Sequence, residues 1–164
     1  DIFGSRGLGD VYKRQYKLDL SRQQYLGNDG VILEFNASGQ IASTSLPTPE
    51  KFSFGGSDYG RGFANSHIFG DAGWSSSIQL SKNMYSKNGK TINPFVWLDY
   101  GQTDDLTGDS REKTASTYGI GLAGNFNRDT TYELSIGVPG LDDSNPTKTG
   151  LEHSILKFNL GLKF

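Results

Sequence analysis

The chain has 164 residues, a net charge of −2 and no cysteine, so it offers no disulfide framework, no thiolate metal site and no basic face for nucleic acid. Apolar residues make up only 34%, while glycine reaches 22 residues and aromatics 12%. No run of about 18 apolar residues exists, which excludes a spanning helix but not a β-barrel, whose lipid face is hidden in alternation.

The first fifteen residues stand apart. Ser5 to Gln15, SRGLGDVYKRQ, can be encoded by a nucleotide string that resembles the adapter of transposase-based sequencing libraries. Residues 1–15 are therefore set aside as non-native, and Tyr16 is read as the first native residue of a gene fragment.

From there, period-two alternation dominates. Strands are expected at 16–26, 30–41, 73–82, 93–102, 115–126, 130–139 and 152–164. In the last of these, Leu156, Phe158, Leu160, Leu162 and Phe164 share one face, and Lys157, Asn159, Gly161 and Lys163 the other. Short turns at Gly27-Asn28-Asp29 and Asn127-Arg128-Asp129 alternate with long connections at 42–72, 103–114 and 140–151; the Asn83–Ile92 link is intermediate. That asymmetry is the pattern of an outer-membrane barrel. It predicts an all-β fold, an antiparallel transmembrane β-barrel of which this chain is the C-terminal portion. Seven strands are too few to close a bacterial single-chain barrel. A soluble β-sandwich is the rival; it explains the alternation but not the loop asymmetry.

Several motifs carry no chemistry. Gly119-Ile120-Gly121-Leu122-Ala123-Gly124 fits the dinucleotide fingerprint, but it lies inside a strand and no helix follows to receive a pyrophosphate. His67 and His153 have no partner motif for a triad or a metal. Asp104, Asp105 and Asp109 read as a solvated loop, and Asn36-Ala37-Ser38 is a sequon only by pattern. No cofactor, metal or small-molecule substrate is expected.

Residues 52–73, FSFGGSDYGRGFANSHIFGDAG, are different. A loop of about thirty residues is uncommon in a compact domain and usually functional. This one carries a single arginine in Gly60-Arg61-Gly62-Phe63, and Asp99 follows on a strand whose inward side also holds Trp97 and Gly101. Guanidinium and carboxylate allow a bidentate pair, so Arg61 is read as the loop's anchor and Asp99 as its counter-charge. Gly62 lets the backbone approach the wall, with Phe63 packed beside it. Glu34, Gln40, Gln79, Asn125, Glu133, Lys157 and Asn159 would wet the lumen.

Phe52-Ser53-Phe54-Gly55-Gly56, Tyr59 to Phe63, Gly70-Asp71-Ala72-Gly73, Leu98-Asp99-Tyr100-Gly101, the Val138-Pro139 strand end and terminal Phe164 occur in this order over 16–164. Together they resemble the outer-membrane transporters of two-partner secretion, the haemolysin secretion/activation family. Gly60 departs from the pattern, since many relatives carry valine there. The resemblance implies a barrel of about sixteen strands behind periplasmic domains, in the outer membrane of a Gram-negative bacterium. It implies export of a large secreted exoprotein, of adhesin or haemolysin type, with no bond made or broken. The loop motif Gly60 to Phe63 would sit against Asp99 and Gly101, Gly70, Asp71 and Gly73 would join loop to strand, and Phe164 would be the C-terminal outer-membrane signal. Implied partners are the exoprotein, outer-membrane lipid and the barrel-assembly machinery during biogenesis. An assembly insertase of the wider superfamily shares the loop core and remains the alternative, with a passive porin behind it.

Overall fold

A computed structural model describes residues 14–27, 29–107 and 112–163. The adapter-like segment up to residue 13, Asn28 of the first turn, Asp109 and the terminal Phe164 lie outside the described residues.

One antiparallel sheet dominates, ordered β1 (Gln15–Leu26), β2 (Val31–Ala42), β5 (Ala72–Lys82), β7 (Lys90–Asp104), β8 (Lys113–Asn125), β9 (Thr130–Asp142) and β10 (Ile155–Leu162). Each strand pairs with the next one in the sheet, so the topology is a meander. Among the described residues, β1 and β10 each pair on one side only. The expected strands are all present, and three details differ.

The Asn83–Ile92 link is itself a ladder. β6 (Tyr85–Lys87) pairs with the start of β7, and Asn88 and Gly89 turn the corner with φ of 55° and 76°. Two successive positive φ angles match the twist of a two-residue hairpin, which Asn-Gly adopts with the least strain. Secondly, β9 runs past Pro139 to Asp142 instead of ending at Val138-Pro139. Ser116 faces Leu141 while Thr117 faces Pro139, so Gly140 is the extra residue of a bulge. Thirdly, the last strand starts at Ile155; Leu151–His153 form a 3-10 turn, which places His153 in a connection.

Register fixes two faces. Leu33, Leu80, Val96, Ile120, Ile136 and Leu156 are cross-strand neighbours in one continuous belt. These side chains point away from the protein's own core: Ile120 is 61% and Leu98 52% exposed, against 4% for Trp97 and 0% for Asp99 on either side of Leu98. A broad apolar depression lined by Val31, Leu80, Pro94, Ile120, Leu134 and Leu156 belongs to this outer belt. Aromatic pairs mark its ends, Trp74 with Tyr100 at 5.2 Å and Phe126 with Tyr132 at 4.4 Å between ring centroids.

The connection from 42 to 72 covers the opposite face, and it is not structureless. Thr48–Glu50 make a 3-10 turn, then β3 (Phe52–Phe54) pairs with β4 (Ile68–Gly70) as a separate two-stranded sheet. The buried hydrophobic cluster, Phe54, Phe63, Ile68 and Ala115 with Tyr59 against it, lies between this loop and the sheet. Fully burying a phenylalanine contributes about 1.5–3 kcal/mol. The loop is thus the second layer that the wall packs against.

Candidate functional site

The seat of the loop is cut into the wall by residues without side chains. At Gly101 an added Cβ would lie 2.2 Å from the Phe54 ring, and at Gly137 it would lie 2.8 Å from both the Arg61 carbonyl and the Gly62 Cα. From the loop side, a Cβ on Gly62 would come within 3.0 Å of Thr117 and the Val138 backbone. Gly119 and Gly121, the glycines of the false dinucleotide motif, leave room for the rings of Trp97 and Phe95 lying across from β7. At Gly62 and Gly137 glycine is required because two backbones meet, and at Gly101, Gly119 and Gly121 because an aromatic ring takes the space of a Cβ.

Over this seat the structure brings Arg61 and Asp99 together. Arg61 donates from Nε to Asp99 Oδ2 at 3.1 Å and from Nη2 to Oδ1 at 2.9 Å, a bidentate fork. Asp99 Oδ2 also accepts the backbone N–H of Gly60 and of Arg61, both at 3.1 Å. Two further guanidinium N–H groups go to Gln79 Oε1 at 2.6 Å and Ser77 Oγ at 3.0 Å. Its carbon centre lies 4.5 Å from the Trp97 ring centroid, in cation–π range. Register explains the convergence, because Ser77, Asp99 and Thr117 are cross-strand neighbours, as are Gln79, Trp97 and Gly119. Gly60 has φ +74°, a conformation natural to glycine, and this turns both amides onto the one carboxylate oxygen.

Gly70, Asp71 and Gly73 sit at the loop's exit. Asp71 is fully buried, and its carboxylate accepts the Leu46 N–H at 2.7 Å and the Leu106 N–H at 2.9 Å. Lys51 Nζ stands 3.5 Å away and also pairs with Asp105. Burial alone would raise the Asp71 carboxyl; the two backbone donors and Lys51 outweigh it and hold the group below the usual carboxylate range. Lys51 is raised, chiefly by its hydrogen bond to Asp105 against the opposing effect of burial. Gly70 packs on the Asp104 backbone and Gly73 under the Phe52 ring, where side chains would collide.

Other ties were not read from the sequence. His67 Nε2 meets Asp142 Oδ2 at 2.8 Å, and its ring stacks on Phe63 at 4.1 Å. Asp142 Oδ1 in turn accepts the Ser144 and Asn145 amides, which begins the β9–β10 connection. Lys157 donates to the Gly56 carbonyl at 2.7 Å, joining β10 to the loop tip. Of the expected polar set, Gln79 holds Arg61 and donates to Glu34, and Gln40 donates to the Glu50 and Asp71 carbonyls. Asn125, Glu133 and Asn159 line a polar depression with Thr91 and Asn93. Asp105 is engaged by Lys51 and Lys113, and no cluster of metal-ligating side chains occurs among the described residues. A sequence cue for Asp142 is hard to find, since its partner His67 is 75 residues away.

The family model described as haemolysin secretion/activation protein ShlB/FhaC/HecB matches residues 8–124. No curated protein matches the chain. Among solved structures, CdiB from Escherichia coli is similar, with a TM-score of 0.80 and 21% sequence identity over 93% of this chain. The match takes in 28% of that protein, so this chain spans under a third of its length. The shared fold makes the sheet a portion of an antiparallel transmembrane β-barrel.

Proposed function

The chain belongs to the haemolysin secretion/activation family, and from that premise we propose that it supplies wall strands and a lumenal loop to an outer-membrane channel that exports a large partner protein. The cargo would be an exoprotein of adhesin or haemolysin type, and the outer membrane is that of a Gram-negative bacterium. Lipid covers the belt, and the barrel-assembly machinery inserts the barrel.

One observation carries this reading: a single arginine fastens a thirty-residue loop across the polar face through five hydrogen bonds, three to one buried aspartate and two to its neighbours Gln79 and Ser77. A strand connection needs no such anchor. A channel that must hold its lumen occupied at rest, and clear it for a polypeptide, does. Arg61 and Asp99 are the anchor, Gly62, Gly101 and Gly137 the seat, and Phe63 the packing that keeps the tip down. A bidentate pair in a channel is strong enough to set a resting position and, with water at hand, weak enough to exchange.

The test is export in the full-length protein. Arg61→Ala and Asp99→Ala should each reduce release of the partner protein while outer-membrane protein assembly in the same cells stays normal. Loss of assembly with export intact would assign the chain to an insertase instead.

A further inference from the structure

The Arg61–Asp99 seat leaves Asp71 unexplained. This carboxylate is fully buried, lies outside the seat, and is shared between two separate connections. Its Oδ1 accepts the Leu46 amide, where the loop enters from β2, and is approached by the Ser45 hydroxyl at 3.4 Å. Its Oδ2 accepts the Leu106 amide, in the connection after β7. Around it the same two segments meet again: Lys51 reaches Asp105, and the Thr107 hydroxyl donates to Ser45 Oγ at 3.1 Å. Asp71 itself is the residue through which the loop leaves into β5.

We propose that Asp71 is a positioning residue, a clamp that locks the two ends of the lumenal loop and the β7–β8 connection into one rigid rim, so that the loop moves by hinging its tip away from Asp99 while its base stays fixed. The chemistry suits the task. An ionised carboxylate can accept from two amides at once with one oxygen for each. A carboxamide cannot, since its nitrogen would face an N–H. The tip, Gly56 to Ser66, is held by different partners, Asp99, Gln79, Ser77 and Lys157. Base and tip thus have separate polar fastenings, and apolar packing of Phe63 on Phe54 and Ile68, which carries no directional bond, joins them across the hinge. Gly55, at the junction, has φ +118°, which few residues other than glycine adopt.

The proposal rests on residues 42–72 being a lumenal loop, and its test is read without cargo, so that it can fail while the export reading stands. This chain contributes no cysteine, so single thiols introduced at Thr48, Thr107 or Ser57 can each carry a spin label in the purified full-length protein. With Asp71→Asn, labels at Thr48 and Thr107 should lose their immobile component together, while Ser57 keeps its own. With Arg61→Ala the pattern should invert, the Ser57 label alone becoming mobile. Leu106→Pro removes one donor and leaves Asp71 in place. It should free Thr107 and spare Thr48, which keeps the question answerable if Asp71→Asn does not assemble. Rigid labels at Thr48 and Thr107 in Asp71→Asn, or mobility at all three sites in Arg61→Ala, would overturn the clamp.

Discussion

Asp99 Oδ2 receives three N–H groups from two consecutive residues, the amides of Gly60 and Arg61 and the Nε of Arg61. The aspartate therefore holds the loop's backbone as well as its charge, and the two members of the pair are not equivalent. Losing Arg61 leaves Asp99 with two amide donors and the Thr117 hydroxyl at 3.5 Å. Losing Asp99 leaves two amides and two guanidinium N–H groups without their acceptor and the guanidinium without its counter-charge, held only by Gln79 and Ser77.

Export should accordingly fall further in Asp99→Ala than in Arg61→Ala, and the double variant should be little worse than Asp99→Ala alone. Stranding one member of a buried ion pair costs about 3–5 kcal/mol, less where water can enter. Arg61→Lys should not restore function, because an ammonium cannot form the fork. Exchanging the charges, Arg61→Asp with Asp99→Arg, should fail too, since the new guanidinium would face the amides of residues 60 and 61. A double-mutant cycle on exported protein, with barrel folding checked separately, decides this; strictly additive losses would refute the pairing.

Gly137→Ala should displace the loop without preventing barrel assembly. The added methyl meets the Arg61 carbonyl and the Gly62 Cα at 2.8 Å, backbone against backbone, with no side chain able to swing aside. Protease sensitivity of the Gly55–Ser66 segment should rise while heat-modifiable migration of the folded barrel is retained.

Leu156→Arg should impair insertion, and Asn159→Arg should be tolerated. Leu156 continues the outer belt beside Ile136, whereas Asn159 faces Glu133 on the polar side. A cation on the lipid face costs roughly 2–4 kcal/mol near the midplane, and one beside Glu133 gains a partner. Comparing the folded fraction in outer membranes tests the register; equal yields would refute it.

The base of the loop should be insensitive to pH through the neutral range and loosen at acid pH. The Asp71 carboxyl is depressed in the folded protein, so its contribution is present above the unfolded value of about 3.9 and is lost as pH falls from there through its lower folded value. Lys51 is raised, so its contribution is complete below about 10.4 and disappears as pH rises through its higher folded value. Amide exchange at Leu46 and Leu106 followed against pH should show one acid step, absent from Asp71→Asn.

The strands were legible because lipid and lumen impose opposite demands on alternate residues, as with Leu98 and Asp99. Arg61 and Asp99 could be matched because Arg61 is the one cation of residues 52–73 and Asp99 the one acid of its inward-facing strand segment. The finer structure of 42–72 was not legible. β3 and β4 have three residues each, too few for any period to register. The partners of Asp71 were not legible because its donors are backbone amides, which every residue but proline carries. Pro139 read as a strand end because proline lacks a ladder donor, but the Gly140 bulge lets pairing resume beyond it.

The contact of glycines in the wall with bulk in the loop has an evolutionary corollary. Phe54 fits only while position 101 has no side chain, and the Arg61–Gly62 backbone only while position 137 has none. These positions cannot drift singly. Across related sequences, columns 54 and 101 should vary in concert, a smaller residue at 54 accompanying a larger one at 101, and columns 62 and 137 should both stay small. Such paired columns would let the resting position of the loop be inferred from an alignment of relatives, without a structure for any of them.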